Sequence, residues 1–163
     1  MDLRIGFGYD VHRLEKGIPF WLGGVEIPHS HGASGHSDAD VLIHAICDAM
    51  LGAAAQGDLG THFPDTDPQY KGISSMILLG KCMDLLRSRG YEIGNIDSTV
   101  CLETPKIKPY TGSMRKEIAR VLDIKESQVS VKATTEEGLG FTGREEGVSA
   151  YAVVLLKVVG LYR

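Results

Sequence analysis

Basic residues are in the minority: 17 Lys and Arg stand against 21 Asp and Glu, a formal charge of -4. A general nucleic-acid or anionic-membrane binder needs the opposite balance. Any phosphate this chain handles must be met by a local cation, a bound metal or backbone N–H groups. Cysteine is equally sparse. The three present, Cys47, Cys82 and Cys101, are far apart and form no C-x-x-C. That argues against a disulfide framework or a cysteine zinc site and fits a reducing compartment. Long apolar runs are missing: the longest, residues 150–156, stops at Lys157, well short of the ~18 residues of a membrane span. The opening Met-Asp-Leu-Arg has neither the basic nor the apolar region of a secretion signal, so a cytoplasmic protein is expected. Repeats, low-complexity tracts and linkers are absent, as are a Walker A loop and a serine-hydrolase elbow.

What is present is an ordinary globular composition, 43% hydrophobic and 23% charged, with glycine in excess at 20 of 163 residues. A chain of this size buries roughly 68–70% of its unfolded surface and needs no staple. One domain over residues 1–163 is expected. Residues 3–12 alternate: Leu3, Ile5, Phe7, Tyr9 and Val11 on one face, Arg4, Gly6, Gly8, Asp10 and His12 on the other. A half-buried strand follows from this. Residues 20–27 read as a hairpin turning at Gly23-Gly24, and 28–36 as a polar loop. Ser37 sits where an N-cap belongs, and the helix it opens runs to about Ala55, apolar nearly all round. So small a domain can hardly cover such a helix, which points to a subunit interface. A long loop spans 57–72, a helix 75–89, a strand 96–103, a helix 111–122 and a strand 128–134. A loop over 134–147 leads to a last strand, 148–159, apolar on both faces and so central in its sheet. The order predicts an α+β fold, a layered α/β sandwich with a mixed β-sheet packed against helices.

Four groupings carry chemistry. Asp10 and His12 share one strand face, and His44 lies on the apolar helix within reach of them. Zinc accepts this donor set, and three protein ligands leave an open catalytic position. Asp40 and Asp48, one turn either side of His44, are candidates to orient its ring. On residue types alone the bland alternative is the commoner case: D-x-H is common in strands, and a single helix histidine is usually a satisfied core group. His36-Ser37-Asp38 at the helix start would favour an anion, or simply cap the helix. Asp58, Asp65 and Asp67 could hold hydroxyls or a metal, or serve as turn residues. Gly138-Leu139-Gly140-Phe141-Thr142-Gly143 has the G-x-G-x-x-G spacing, but strand sequence rather than a helix follows it, so it is no dinucleotide site. The hydroxyls of Thr134 and Thr135 and the carboxylate of Glu137 could instead hold a diphosphate and Mg²⁺.

Taken together, GYDVHRL (8–14), HSDADVLIHA (36–45), GDLGTHFPDTDP (57–68), TPKIKPY (104–110) and KATTEEGLGFTGREEG (132–147) closely resemble the 2-C-methyl-D-erythritol 2,4-cyclodiphosphate synthase family, in order and over essentially the whole chain. The resemblance implies a phosphorus-oxygen lyase of the non-mevalonate isoprenoid route. It would turn 4-diphosphocytidyl-2-C-methyl-D-erythritol 2-phosphate into the cyclic diphosphate and CMP, in a homotrimer with active sites between subunits. It implies that Asp10, His12 and His44 hold one Zn²⁺ per subunit. Glu137 would ligate Mg²⁺ or Mn²⁺ across the α- and β-phosphates, and Thr135 would fix the diphosphate. His36 and Ser37 would meet the 2-phosphate, Phe63 and Asp65 would border the methylerythritol, and Asp58 and Gly60 of the adjoining subunit would hold the ribose. Leu102, Lys106, Ile107, Ala133 and Thr134 would line the cytosine pocket, with Phe141 and Arg144 as further substrate contacts. Some relatives bind an isoprenoid diphosphate in the central cavity near that arginine. Two departures from the pattern are Gly138, where many relatives carry Lys, and the acid Glu145 in Gly143-Arg144-Glu145-Glu146-Gly147. Neither nucleic acid nor membrane enters as a partner. Two rival readings remain: a zinc-dependent phosphohydrolase, and a non-catalytic trimeric nucleotide- or isoprenoid-binding module.

Overall fold

The computed structural model describes residues 2–160. Its backbone is a mixed five-stranded sheet with helices on one face. The strands are β1 (Leu3–Lys16), β4 (His31–Ala33), β5 (Tyr91–Cys101), β6 (Val129–Thr134) and β7 (Gly147–Val158), in the order β4-β1-β7-β5-β6. All pairs are antiparallel except β5 with β6. The expected α+β layering and mixed sheet are present, and the doubly apolar last strand is indeed the middle one. The 20–27 hairpin is a separate ribbon, β2 (Phe20–Leu22) with β3 (Val25–Ile27).

The apolar helix α1 (Val41–Ala53) lies across β1 and β7 and under α3 (Ser75–Ser88). Leu42, Ile43, Ile46, Met50 and Leu51 are wholly buried there. Each such side chain contributes about 1.5–3 kcal/mol by leaving water. The expectation that α1 needs a subunit interface is therefore corrected: sheet and α3 enclose it within one chain. Two glycines make this possible. A Cβ on Gly6 would stand 1.8 Å from the Ala49 carbonyl oxygen, and one on Gly8 1.9 Å from that of Ala45. Helix and strand backbones meet where no side chain fits.

That contact decides which face of β1 is inside. The glycine face is buried, and the regular apolar face of Leu3, Ile5, Phe7, Tyr9 and Val11 is outside, with Ile5 73% and Phe7 61% exposed. Tyr151 and Val153 of β7 extend this surface. Towards β5 and β6 the outer face turns polar, where Lys132 donates to Asp97 at 2.7 Å.

The start of α1 also differs from expectation. Its N-cap is Asp40, not Ser37: the Asp40 carboxylate accepts from the Ile43 N–H at 3.1 Å. The same carboxylate accepts from the N–H groups of Gly23 and Gly24 at 2.9 and 2.8 Å, tying the β2–β3 turn to the helix. Residues 31–33, expected in a loop, add the edge strand β4. The long loop contains a short helix, α2 (Leu59–His62), and a 3-10 turn at Pro68–Tyr70. Strand β5 begins at Tyr91, earlier than expected. Helices α4 (Thr111–Leu122) and α5 (Gly140–Gly143) complete the chain.

Candidate metal centre and cleft

Asp10 and His12 continue the glycine face of β1, so they point toward α1 just where α1 begins. His44, one turn into that helix, points back. His12 Nε2 lies 2.9 Å and His44 Nδ1 3.0 Å from Asp10 Oδ2, and the two nitrogens are 3.2 Å apart. Among the described residues this is the one cluster of metal-ligating side chains of its kind.

The far sides of both rings show what the near sides carry. His12 Nδ1 lies 3.0 Å from the Ser34 carbonyl oxygen, which only accepts, so that nitrogen carries the ring hydrogen. His44 Nε2 faces the hydroxyls of Ser75 at 2.9 Å and Ser37 at 3.1 Å, where it donates. In the neutral rings the inner nitrogens are then lone pairs, and with the Asp10 oxygen three acceptors converge on one point. Such a point calls for a proton or a cation. Spacings of 2.9–3.2 Å suit ligands that share one ion at about 2.0–2.2 Å. Burial pushes the Asp10 carboxyl up, but the two imidazoles beside it bring it down to about 2. Burial opposes the charged form of His12, yet the Asp10 carboxylate holds its pKa above the ordinary histidine value. The residues present fit a hard or borderline divalent cation.

The cluster stands at the head of a cleft of about 730 Å³. His36, Ser37, Asp58, Gly60, Phe63 and Asp65 all line it. The loop that carries four of them is held from α1: Asp48 Oδ1 accepts the Leu59 N–H at 2.7 Å. At its far end the Gly72 N–H donates to the His36 carbonyl at 2.8 Å. Asp58 itself caps α2, accepting from the Thr61 N–H at 2.8 Å. Among the described residues, four aspartates, Asp10, Asp48, Asp58 and Asp65, line the cleft, and no lysine or arginine does.

Several expectations are corrected here. Asp40 and Asp48 do not orient His44, since both carboxylates are committed to backbone N–H groups. Ser75 fills that role, and its hydroxyl in turn donates to Asp38. The sequence offered little signal for Ser75, which lies 31 residues from His44 and read only as the first residue of a helix. His36 and Ser37 are not at a helix start, so no helix dipole serves an anion there, although both side chains face the cleft. Apart from these corrections, Asp58 and Gly60 line this chain's cleft.

The remaining candidates lie outside that cleft's lining, although Phe141 borders a hollow with His12. Leu102 and Ile107 are buried, while Lys106, Ala133 and Thr134 are exposed beside them near the ends of β5 and β6. The Leu102 N–H donates to the Thr134 carbonyl at 3.0 Å. Thr135 and the exposed Glu137 follow directly, and Glu137 is not part of the Asp10 cluster. Register fixes the separation of Asp10 from Ala133: Asp10 pairs with Ala150, Val100 with Ala150, and Val100 with Ala133. That is three strand spacings, about 14 Å. Phe141 borders a hollow with Tyr9 and Tyr151, and the Arg144 Nε donates to Glu146 at 2.8 Å. All three cysteines are free and buried, and among the described residues no helix is long and apolar enough to cross a membrane.

Residues 3–157 match the family model described as YgbB family. A protein of Porphyromonas gingivalis named 2-C-methyl-D-erythritol 2,4-cyclodiphosphate synthase is 63% identical over 153 residues, 94% of each chain. The chain is also similar to the solved bifunctional IspDF of Campylobacter jejuni, with a TM-score of 0.93 and 44% identity over 96% of this chain and 42% of that one. A solved 2C-methyl-D-erythritol-2,4-cyclodiphosphate synthase in a CDP-bound form gives a TM-score of 0.87 and 38% identity, covering 94% of this chain and 100% of that one.

Proposed function

The chain belongs to the YgbB family, and from that premise we infer that it converts 4-diphosphocytidyl-2-C-methyl-D-erythritol 2-phosphate into 2-C-methyl-D-erythritol 2,4-cyclodiphosphate and CMP, a lyase step of the non-mevalonate isoprenoid route. One observation carries the reading. Three acceptor atoms, from Asp10, His12 and His44, converge at the head of a cleft lined, among the described residues, by further aspartates and by no lysine or arginine. A substrate with a diphosphate and a 2-phosphate can enter an acidic cleft only if cations accompany it.

In the reaction an oxygen of the 2-phosphate forms a bond to the β-phosphorus. The bond from that phosphorus to the oxygen bridging it to the α-phosphate breaks, and CMP leaves with that oxygen. No water is consumed, and no protein nucleophile is needed. The chain must therefore hold two mutually repelling anions in line. We assign His36 and the Ser37 hydroxyl to the 2-phosphate, Phe63 and Asp65 to the methylerythritol, and Asp58 with the backbone at Gly60 to the ribose. Asp10, His12 and His44 would hold Zn²⁺, and Glu137 a Mg²⁺ or Mn²⁺. Such ions act as Lewis acids that neutralise charge on the transferred phosphoryl group.

Ala133 lies three strand spacings, about 14 Å, from Asp10 in one chain, and Thr134, Thr135 and Glu137 with Leu102, Lys106 and Ile107 lie at or beyond the ends of the same two strands, β6 and β5. We therefore propose a homotrimer in which one subunit supplies the triad and cleft and its neighbour supplies these residues. The uncovered apolar face of β1 and β7 supports such an assembly. The same face could wall a cavity for an isoprenoid diphosphate, for which Arg144 would exchange its Glu146 partner. A cytoplasmic site of action and a single domain over 1–163 complete the reading.

The test is incubation with the cytidyl substrate and Mg²⁺, with and without a zinc chelator, following CMP and the phosphorus NMR spectrum. A cyclic diphosphate that disappears with the chelator is expected. Inorganic phosphate as the product would instead establish a phosphohydrolase, and tight CDP binding without any product would establish a binding module.

A further inference from the structure

His44 must present a lone pair at Nδ1 and a hydrogen at Nε2 if it is to serve the cluster, and the structure holds an arrangement that enforces this. Ser75, the first residue of α3, is wholly buried. Its Oγ lies 2.9 Å from His44 Nε2, and its hydroxyl donates to Asp38 Oδ1. The Ser75 N–H donates to the other oxygen of the same carboxylate at 2.9 Å. Asp38 is itself anchored: it accepts the Asp40 N–H at 3.2 Å, and its own N–H donates to the Ile73 carbonyl at 3.0 Å.

Only one hydrogen order satisfies this chain. The carboxylate can only accept, so the Ser75 hydrogen is spent on it. The hydroxyl oxygen is then left to accept, and His44 Nε2 must donate. A charge-assisted bond at one end strengthens the bond at the other. Ser37 Oγ also reaches His44 Nε2, at 3.1 Å, but Ser37 lines the cleft and Ser75 does not.

We propose that Ser75 and Asp38 are positioning residues for the metal centre. Ser75 passes the negative charge of Asp38 to the back of His44, which fixes the ring's tautomer and rotation. It keeps that hold when Ser37 turns its hydroxyl to an arriving phosphate. The inference rests on the metal-centre reading given above.

The experiment uses full-length protein stripped of metal and measures the zinc Kd by chelator competition, together with the visible spectrum of the Co²⁺-loaded form. Wild type, S75A, D38N and S98A are compared. Ser98 is another buried serine whose hydroxyl serves a carbonyl, that of Ser130 at 2.8 Å, away from the site. S75A should weaken zinc binding by about 10–100-fold, the usual effect of losing an outer partner of a ligand. It should also shift the Co²⁺ bands, while S98A matches wild type in both. D38N, which keeps a side chain of the same shape, should weaken zinc by about tenfold and decides the matter if S75A does not fold. A wild-type Kd and spectrum in folded S75A, or in D38N where S75A does not fold, would overturn the proposal. So would a loss in S98A equal to that in S75A. Absence of zinc binding by the wild type would instead remove the metal centre itself, a result distinct from the other two.

Discussion

Asp10, His12 and His44 do different things although they share one point. The carboxylate brings charge, and the two imidazoles bring neutral lone pairs aimed by bonds on their far sides. Removing one imidazole leaves a carboxylate and a single nitrogen, too few to hold zinc against water. His44→Ala should therefore abolish stoichiometric zinc. It should lower CMP release by more than about 100-fold, beyond the effect of losing an outer partner. Zinc per chain and turnover with and without added zinc are the measurements; full turnover in the metal-depleted variant would refute the assignment. Asp10 and His12 were legible in the sequence because an i, i+2 pair in a strand needs no further information to share a face, whereas the role of His44 came from the family resemblance. Asp38 and Ser75 were not legible. Their link spans 37 residues and exists only because α3 packs on α1. Asp40 and Asp48 had helical spacing on their side, but backbone N–H groups of the neighbouring turn and loop claim both carboxylates.

At the scale of elements, the position of the metal centre depends on how closely β1 approaches α1. Gly8→Ala sets a methyl 1.9 Å from the Ala45 carbonyl oxygen, backbone against backbone, so the helix must move. Overpacking of this kind costs about 1–3 kcal/mol or more, and here it also displaces His44 relative to Asp10. Urea unfolding should show the loss of stability, and zinc affinity should fall with it. The loop over 57–72 depends on α1 in a second way, through Asp48 and the Leu59 N–H. Asp48→Ala deletes a hydrogen bond to a charged acceptor, worth about 1.5–3 kcal/mol. Because it loosens the residues assigned to the ribose, KM for the cytidyl substrate should rise about tenfold or more, with kcat changed far less. An unchanged KM would show that the loop is held by its other contacts. Most strands and helices were readable from periodicity, yet the inside of β1 was not. Alternation identifies two faces but cannot say which one is buried. Here a helix backbone selects the glycine face, and the apolar side chains are left for something outside the chain.

For the whole molecule, that outward apolar face and the ~14 Å between Asp10 and Ala133 support the proposed arrangement, a site shared between copies. A mixing experiment separates a shared site from a site within one chain. His44→Ala lacks the triad, and Glu137→Ala lacks the second carboxylate; each alone should be nearly inactive. Suppose equal amounts are unfolded and refolded together. If each site took its triad and its Glu137 from the same chain, every site would still lack one or the other, and activity would stay near zero. If each site takes its triad from one subunit and its Glu137 from the next, the two choices are independent. About a quarter of sites then receive both intact, and turnover should recover to about a quarter of wild type. Phe7→Asp on both chains places charge in the uncovered face, where Phe7 is 61% exposed in the isolated chain. In that background sedimentation should give single-chain masses, zinc should still bind at Asp10, His12 and His44, and mixing should restore nothing. Recovery of activity among single chains would show that the residues near the ends of β5 and β6 reach the cleft without a neighbour.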